Sequence, residues 1–295
     1  MSAARHLCSR VMNVELRHLR VLAAIGDEGT FTDAAAVLRI SQPAVSRTLD
    51  QLERRTGTQL VERTTRHLAL TDAGRRLWEH AHRILSQVES ALAEATTGSG
   101  PLRVGFAWAA LGRHTVPLLR GWRQDHPDTP VQVHRRDDPE TALRHGQIDV
   151  AFLRTEPSVS TGLRSFPLYG ERRVAAVPET DPLAHLPAVR LADLARRAVA
   201  LCATASTTTA DLWPSGARPR TFDVANVDEW LTAIAVGDAV GVTAEGTEHS
   251  HPHPGIRYLP VSDAPPLTVH LVLPDAPTHP ASHVFHDHVT RLLSA

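Results

Sequence analysis

The chain has 295 residues, 42% hydrophobic and 21% charged, with a formal net charge of −1. That length accommodates two or three domains with their own cores, and the composition is ordinary for a soluble globular protein. No stretch approaches the ~18 uncharged apolar residues that a membrane span requires. Met1 to Val11 also lacks the apolar run of a signal peptide, so the expected location is the cytoplasm.

All 31 basic residues counted as Lys or Arg are arginine. A GC-rich coding sequence accounts for this, but it makes every cationic contact a planar guanidinium with a fixed fork of donors. Residues 1–100 hold 13 arginines against 11 acids, and the remainder 18 against 21. Binding to a polyanion must therefore rest on a local patch rather than on bulk charge. Cys8 and Cys202 are too few and too far apart for a disulfide framework or a zinc site, and read as bystander thiols.

Leu16, Leu19, Leu22, Ala23 and Ile25 recur at helical spacing, and Gly26 to Gly29 is expected to end that helix. Thr32 is the expected N-cap of a short alanine-rich helix over Ala34–Leu38, with Asp33 favoured in its first turn. Arg39 and Ile40 make a turn. Ser41 is the next expected N-cap, and Pro43 sits where its missing N–H costs nothing. Val45, Leu49 and Leu52 form the inner stripe of this second helix. Gln42, Ser46, Arg47 and Arg54 lie elsewhere on it and reach outward, and Gly57 stops it. Two short helices joined by a tight turn are what a helix-turn-helix needs, with the second entering a major groove. Leu60–Arg63, a polar turn Thr64–His67 and Leu68–Leu70 then read as a hairpin wing. Arg63 and Arg66 near its tip are placed for phosphates or a minor groove.

These residues carry a resemblance. Phe31-Thr32-x-Ala34-Ala35, Ser41-Gln42-Pro43-Ala44-Val45-Ser46-Arg47, Leu52-Glu53, Gly57, Leu60, Arg63 and Leu70-Thr71-x-Ala73-Gly74 resemble, in order and spacing, the signature of LysR-type transcription regulators. The resemblance implies that Ser41, Gln42, Pro43, Ser46 and Arg47 face the major groove and that Arg63 and Arg66 serve the wing. Thr32 joins this set of expected DNA-binding residues within the helix-turn-helix at 31–50. Val61 departs from the family, which usually has Phe there. Residues 1–11 precede the usual start, so either Met12 initiates or these residues form a disordered tail. Residues 12–70 are the expected DNA-binding domain.

The linker at 71–97 is expected to be one long helix, capped by Thr71. Leu77, Ala81, Ile84, Val88, Ala91 and Ala95 are spaced 4-3-4-3-4, a heptad seam. The plain alternative is a helix packed on its own domain. Pairing between chains is the favoured reading, with Leu77, Ala81, Ile84 and Val88 in the seam, because paired recognition helices read paired half-sites. Thr96–Pro101 is a hinge by composition.

From 98 to 295 strands and helices alternate. Leu102–Ala107, Val131–Arg135 and Ile148–Leu153 read as strands, separated by helices at Leu111–Gln124 and Glu140–His145, which implies a parallel sheet. Val174–Val177 and Ala198–Ala203 begin a second lobe, followed by a helix at Asn226–Val236 and a strand at Val240–Thr243. Leu267–Leu273 is expected to return to the first lobe, and Ser282–Leu293 is the closing helix. The first lobe spans about 101–170 and 268–295, the second about 171–267.

The expected fold is therefore α+β and multi-domain: a winged helix-turn-helix, a long linker helix, and a two-lobed α/β effector domain that resembles type 2 periplasmic binding proteins. A ligand cleft belongs between such lobes, at strand C-termini and helix N-termini. Trp108, Ala109, Asp137, Thr204, Ser206, Asn226 and Thr243 are the expected effector-binding residues, with Asp138 and Cys202 nearby. Many relatives have Ser or Thr after the first strand of this domain, where this chain has Trp108-Ala109. Trp108 either stacks on an effector ring or packs in the core. Thr204–Thr209 either meets an anion or is a polar loop. His249, His251 and His253 alternate with prolines and read as a loop, and His283, His286 and His288 as surface residues. No catalytic or metal constellation is visible, so no enzyme activity and no cofactor are expected. The expected partners are double-stranded promoter or operator DNA, a small-molecule effector, a second copy giving a dimer and by resemblance a tetramer, and RNA polymerase; no membrane is expected.

Overall fold

The computed structural model describes residues 14–63, 68–97, 100–157, 162–202, 204 and 207–294. These divide into two compact units, one of residues up to 98 together with Arg144–Gln147 and the other of the remaining residues.

The first unit opens with α1 (Leu16–Glu28), α2 (Phe31–Leu38) and α3 (Gln42–Thr56), continues through a two-stranded hairpin of β1 (Val61–Arg63) and β2 (Leu68–Leu70), and ends on α4 (Asp72–Thr97). Leu22 and Ile25 of α1, Ala34 of α2, and Val45, Leu49 and Leu52 of α3 are fully buried and form one core. At Ala34 the small side chain lets α2 approach its neighbours closely.

Helix ends differ in detail from expectation. Helix α1 runs through Gly26, which lies beneath the indole of Trp78, so close that a Cβ there would sit 2.4 Å from Trp78 Cδ1. It stops at Gly29, which takes the left-handed conformation at φ 68°. Thr30, not Thr32, caps α2: its Oγ1 accepts the Asp33 N–H at 3.0 Å, and Thr32 sits exposed within the first turn. Arg39 adopts the left-handed conformation at φ 55°, which makes the turn between α2 and α3 tight. Ser41 precedes α3, but its hydroxyl makes no capping bond; its carbonyl accepts the N–H groups of Ala44 and Val45 instead.

Glu53 ties α3 to the wing. Its Oε1 accepts the backbone N–H groups of Leu60 at 2.7 Å and Val61 at 3.2 Å. Val61, smaller than the Phe usual in relatives, is nonetheless 1% exposed. Thr71 caps α4, accepting the Gly74 N–H at 2.9 Å.

Helix α4 packs along α1, where the Trp78 indole N–H donates to Asp27 Oδ1 at 3.0 Å. This contact divides the seam. Leu77 joins the domain core and Ala81 is fully buried, so these two already pack within their own chain. Further along, Val88 is half-buried, while Ile84 and Leu92 are 42% and 64% exposed.

The second unit contains two sheets. The first has the order β4-β3-β5-β12-β6, formed by β3 (Leu102–Phe106), β4 (Val131–Arg135), β5 (Val150–Leu153), β6 (Leu163–Glu171) and β12 (Leu267–Pro274). Strand β3 runs parallel to β4 and β5, while β12 returns antiparallel to β5 and β6. Helices α5 (Thr115–Asp125) and α10 (Ser282–Ser294) contribute to its core, with Leu118, Trp122, Phe285 and Val289 almost fully buried. A further short helix, α6 (Pro139–Arg144), follows β4.

The second sheet places β7 (Arg173–Pro178) between β10 (Gly241–Ala244) and β11 (Ile256–Pro260), both antiparallel to it. Strand β8 (Ala198–Cys202) pairs in parallel with β9 (Arg220–Val224), and backbone bonds between Val240 and both Ala198 and Ala200 join this pair to β10. Around the sheet lie α7 (Leu191–Leu194), α8 (Val227–Ala235) and α9 (Gly246–Ser250). Trp230 of α8 rests on Gly241, where a Cβ would be 2.1 Å from its Cζ2.

Asp149, in the Ile148-Asp149-Val150-Ala151 motif, is 1% exposed. It accepts the Arg103 backbone N–H at 2.8 Å, the Arg103 guanidinium at 3.0 and 2.8 Å, and the Thr278 hydroxyl at 2.6 Å. The motif is thus a clamp that joins β3, β5 and the segment before α10.

Of the three histidines of α10, His283 is exposed as expected, while His286 and His288 depart from a surface row. His288 is 6% exposed and meets Trp122 edge-on at 5.5 Å, and His286 lies 4.3 Å from the Phe166 ring. An imidazole ring packs as an aromatic, and the helix period carries 288 to the same face as Phe285.

Candidate nucleic-acid interface and ligand cleft

The buried stripe of α3 fixes what its other face presents. With Val45, Leu49 and Leu52 turned inward, Ser41, Gln42, Pro43 and Arg47 are exposed and Ser46 is half-buried. Arg47 makes no hydrogen bond or ion pair among the described residues, so its guanidinium stands ready for an external acceptor. The Arg63 side chain and the whole of Arg66 lie outside the described residues, although the Arg63 backbone pairs with Leu68 in the wing. Exposed donors on a helix set over a tight turn, with a hairpin held by Glu53, form a surface of the kind that reads a groove and touches the flanking backbone.

In the second unit a cleft of about 380 Å³ is lined by Trp108, Asp137, Asp138, Arg154, Thr204 and Thr243, among others. It opens at the C-terminal ends of β3, β4 and β5, where an open α/β sheet holds ligands. Of the residues singled out from sequence, Trp108, Asp137, Thr204 and Thr243 line it. Ala109 and Asn226 do not. The Ala109 carbonyl accepts Arg154 Nη2 at 3.2 Å beneath the cleft. Asn226 caps α8: its Oδ1 accepts the Glu229 N–H at 3.0 Å and its amide donates to Glu229 Oε1 at 3.1 Å. A side chain fully used as a cap is not available to a ligand. Ser206 lies outside the described residues. Cys202 is half-buried, with Sγ 3.3 Å from Thr204 Oγ1.

Trp108 is 7% exposed and meets Trp230 edge-on at 5.5 Å, so it is a core residue with one face on the cleft. Its Nε1 is buried and has no hydrogen-bond partner among the described residues. Its carbonyl is paired with His251 Nε2 at 3.1 Å, which gives that histidine a structural place.

Arg154 and Glu171 were not foreseen. They form a buried pair, 7% and 5% exposed in their side chains, at 2.5 Å from Nε to Oε2 and 3.2 Å from Nη2 to Oε1. Glu171 also accepts the Gly246 N–H at 2.7 Å. Gly112 and Gly246 cross so closely that a Cβ on Gly112 would lie 2.8 Å from Gly246 Cα. Nearby, burial pushes the Tyr169 hydroxyl up to about 12, with the Glu171 charge adding to it. Burial and the Arg113 charge hold His114 below its ordinary value. The sequence signal for the pair was only a charged residue directly after the apolar run of β5 and another at the end of β6.

Among the described residues no group of three or more His, Cys, Asp or Glu is placed to hold a metal ion, and no helix is long and apolar enough to cross a membrane.

Fold and surface together define a winged helix-turn-helix protein with a two-lobed α/β ligand-binding domain. The chain belongs to the LysR family. The family model described as bacterial regulatory helix-turn-helix protein, lysR family, matches residues 16–75, and that described as LysR substrate binding domain matches residues 95–294. Among curated relatives it is 36% identical over 192 residues to an uncharacterized HTH-type transcriptional regulator, YnfL, of Escherichia coli, covering 63% of this chain and 64% of that one. It is 34% identical over 186 residues to a probable hydrogen peroxide-inducible genes activator of Mycobacterium avium, covering 60% and 59%. It is 32% identical over 178 residues to the HTH-type transcriptional regulator BenM of Acinetobacter baylyi, covering 58% and 57%. The matched part thus spans about three-fifths of the length of these relatives. Among solved structures, CbnR, a LysR family transcriptional regulator, matches with a TM-score of 0.66 at 23% identity, covering 95% of this chain and 99% of that chain. Full-length CbnR complexed with its target DNA matches with a TM-score of 0.64 at 24% identity, over 95% and 100%.

Proposed function

We propose that the chain is a sequence-specific, DNA-binding transcription regulator whose activity is modulated by a small molecule bound in the cleft of its second unit, and that it is not an enzyme. The observation that carries this is the outward face of α3: Gln42, Ser46 and Arg47 stand opposite a fully buried stripe, with Arg47 uncommitted. Thr32, Ser41 and Pro43 flank that face, and Arg63 and Arg66, expected from the sequence to serve the wing, complete the proposed set. The effector site is centred on Trp108, Asp137, Thr204 and Thr243. BenM and CbnR bear names of transcriptional regulators, and one CbnR structure holds target DNA, which supports the same role here.

The protein acts in the cytoplasm as a dimer or a tetramer. An apolar groove of about 830 Å³ runs between α1, α3 and α4, lined by Leu16, Leu19, Leu52, Leu77 and Ile84. A second copy covers it, with Ile84 and Val88 continuing the seam. RNA polymerase is the further partner at the promoter. Effector closure biases the arrangement of subunits, and a coupling of about 1–3 kcal/mol is enough for a switch.

The test is fluorescence anisotropy with labelled DNA from directly upstream of the coding sequence, titrated with salt against a scrambled control. Sequence-dependent binding with a steep salt slope supports the proposal. Equal binding to scrambled DNA at every salt, followed by no enriched fragment in a genome-wide selection, refutes it.

A further inference from the structure

The charges around the cleft are unequal. Its cationic lining group is Arg154, and that guanidinium is engaged by the buried carboxylate of Glu171 at 2.5 and 3.2 Å and by the Ala109 carbonyl at 3.2 Å. Three acidic residues, Asp137, Asp138 and Glu140, line the same cleft. Asp138 Oδ1 accepts the Thr141 N–H at 2.9 Å, a neutral partner, and its carboxylate forms no ion pair among the described residues. Arg135 stands 3.8 Å from Asp137, but the two side chains are 40% and 73% exposed, so solvent screens the pair and it offsets little of the field inside the cleft.

Resting on the effector-cleft reading above, we infer that the ligand is a small organic cation, an amine or amidine, with its charged end at Asp137 and Asp138 and its body against Trp108 and the threonines. A cleft that focuses one sign of charge raises the local concentration of the opposite sign and rejects its own. A carboxylate would enter a negative field in which the lining arginine is already neutralised. An ammonium or amidinium gains two carboxylates, and the aromatic Trp108 favours a flat cation over a bulky one. Thr204 and Thr243 supply hydroxyls, and the buried Trp108 Nε1, without a partner among the described residues, supplies a donor for an acceptor carried by the ligand.

Three probes of one shape and different charge test this: benzamidine, benzamide and benzoate, titrated into the full chain by calorimetry. The expected order is benzamidine tightest, benzamide weaker by about tenfold and benzoate undetectable. The double variant Asp137→Asn/Asp138→Asn, at exposed positions where asparagine keeps the Asp138 cap, is expected to weaken benzamidine about tenfold and leave benzamide within about twofold. Benzoate binding as well as or better than benzamidine overturns the inference. So does the absence of saturable benzamidine binding at millimolar concentration, or a probe order unchanged in the double variant. The cleft-blocking variant Thr204→Trp separates the two layers of argument. If it leaves all probe binding intact, the effector site lies elsewhere and the cleft reading fails. If it abolishes binding while benzoate is preferred in the parent, only the charge class fails.

Discussion

Arg47 is the side chain on which the nucleic-acid reading turns, because it is exposed on α3 and has no partner among the described residues. An arginine that forks onto a guanine discriminates by about 1–3 kcal/mol. Arg47→Ala is therefore expected to lower operator affinity by that amount and to relax base preference, while binding to scrambled DNA changes little. Competition anisotropy on the two DNAs measures it, and equal losses on both would reduce Arg47 to a phosphate contact. The buried Arg154–Glu171 pair calls for a different prediction. Removing one member strands a charge in the interior, at a cost of about 3–5 kcal/mol. Glu171→Ala should lower stability by that much in urea unfolding, and a loss under about 1 kcal/mol would mean that water reaches Arg154. Arg47 was legible in the sequence because its spacing from Val45 and Leu49 turns it outward. Arg154 and Glu171 were not, because each meets its partner only after the sheet is assembled, and no periodicity encodes a pairing between β5 and β6.

At the scale of elements, long periodic segments were legible and most edge strands were not. The helices α1, α3, α4, α8 and α10 and the inner strands β3, β5 and β12 all follow from apolar patterning, as does β4 at one edge of the first sheet. The strands that the sequence did not announce, β6, β9 and β11, all lie at sheet edges. Edge strands tolerate proline and polar residues because one side of the ladder goes unpaired. Accordingly β6 carries Pro167, β9 reads Arg-Thr-Phe-Asp-Val, and β11 ends on Pro260. Cap identity was also hard to read, since Thr30 and Thr32 are chemically alike and only the entry angle of α2 decides between them. The linker helix was legible in its period but not in its division of labour. Its first half packs on α1, and only the second half leaves apolar residues outside. Ile84→Asp is expected to raise the dimer dissociation constant at least tenfold, about 1.4 kcal/mol, by sedimentation equilibrium. A dimer of unchanged strength would place the interface away from α4.

At the scale of the whole molecule, ion pairs set how stability depends on pH. Asp181 accepts Arg197 Nε at 2.6 Å and Nη2 at 2.7 Å, and also the Leu183 N–H at 2.8 Å. Burial alone would raise its carboxyl, but these bonds outweigh burial and hold it below the ordinary 3.8. A group depressed on folding stabilises the native state above its unfolded value, and that stabilisation disappears as pH falls through the folded value. Asp181→Asn should thus cost about 1–2 kcal/mol at neutral pH. The gap between parent and variant should close below pH 3.8. A gap that persists at about pH 2 would show that the aspartate acts through packing rather than charge.

Strand β12 has a consequence for how the chain is born. It lies between β5 and β6 in the first sheet, yet residues 267–274 leave the ribosome long after both. Strands β7 to β11, by contrast, are consecutive in the chain and need nothing made later. The later lobe therefore finishes first, while β6 waits without any partner for roughly 5–20 s at about 5–20 residues per second. Through that interval the nascent protein exposes a strand ready to pair with any other unpaired edge. A chain stopped at residue 266 would hold that state indefinitely. It should be captured by chaperones or aggregate, although its helix-turn-helix and its β7–β11 sheet are both complete.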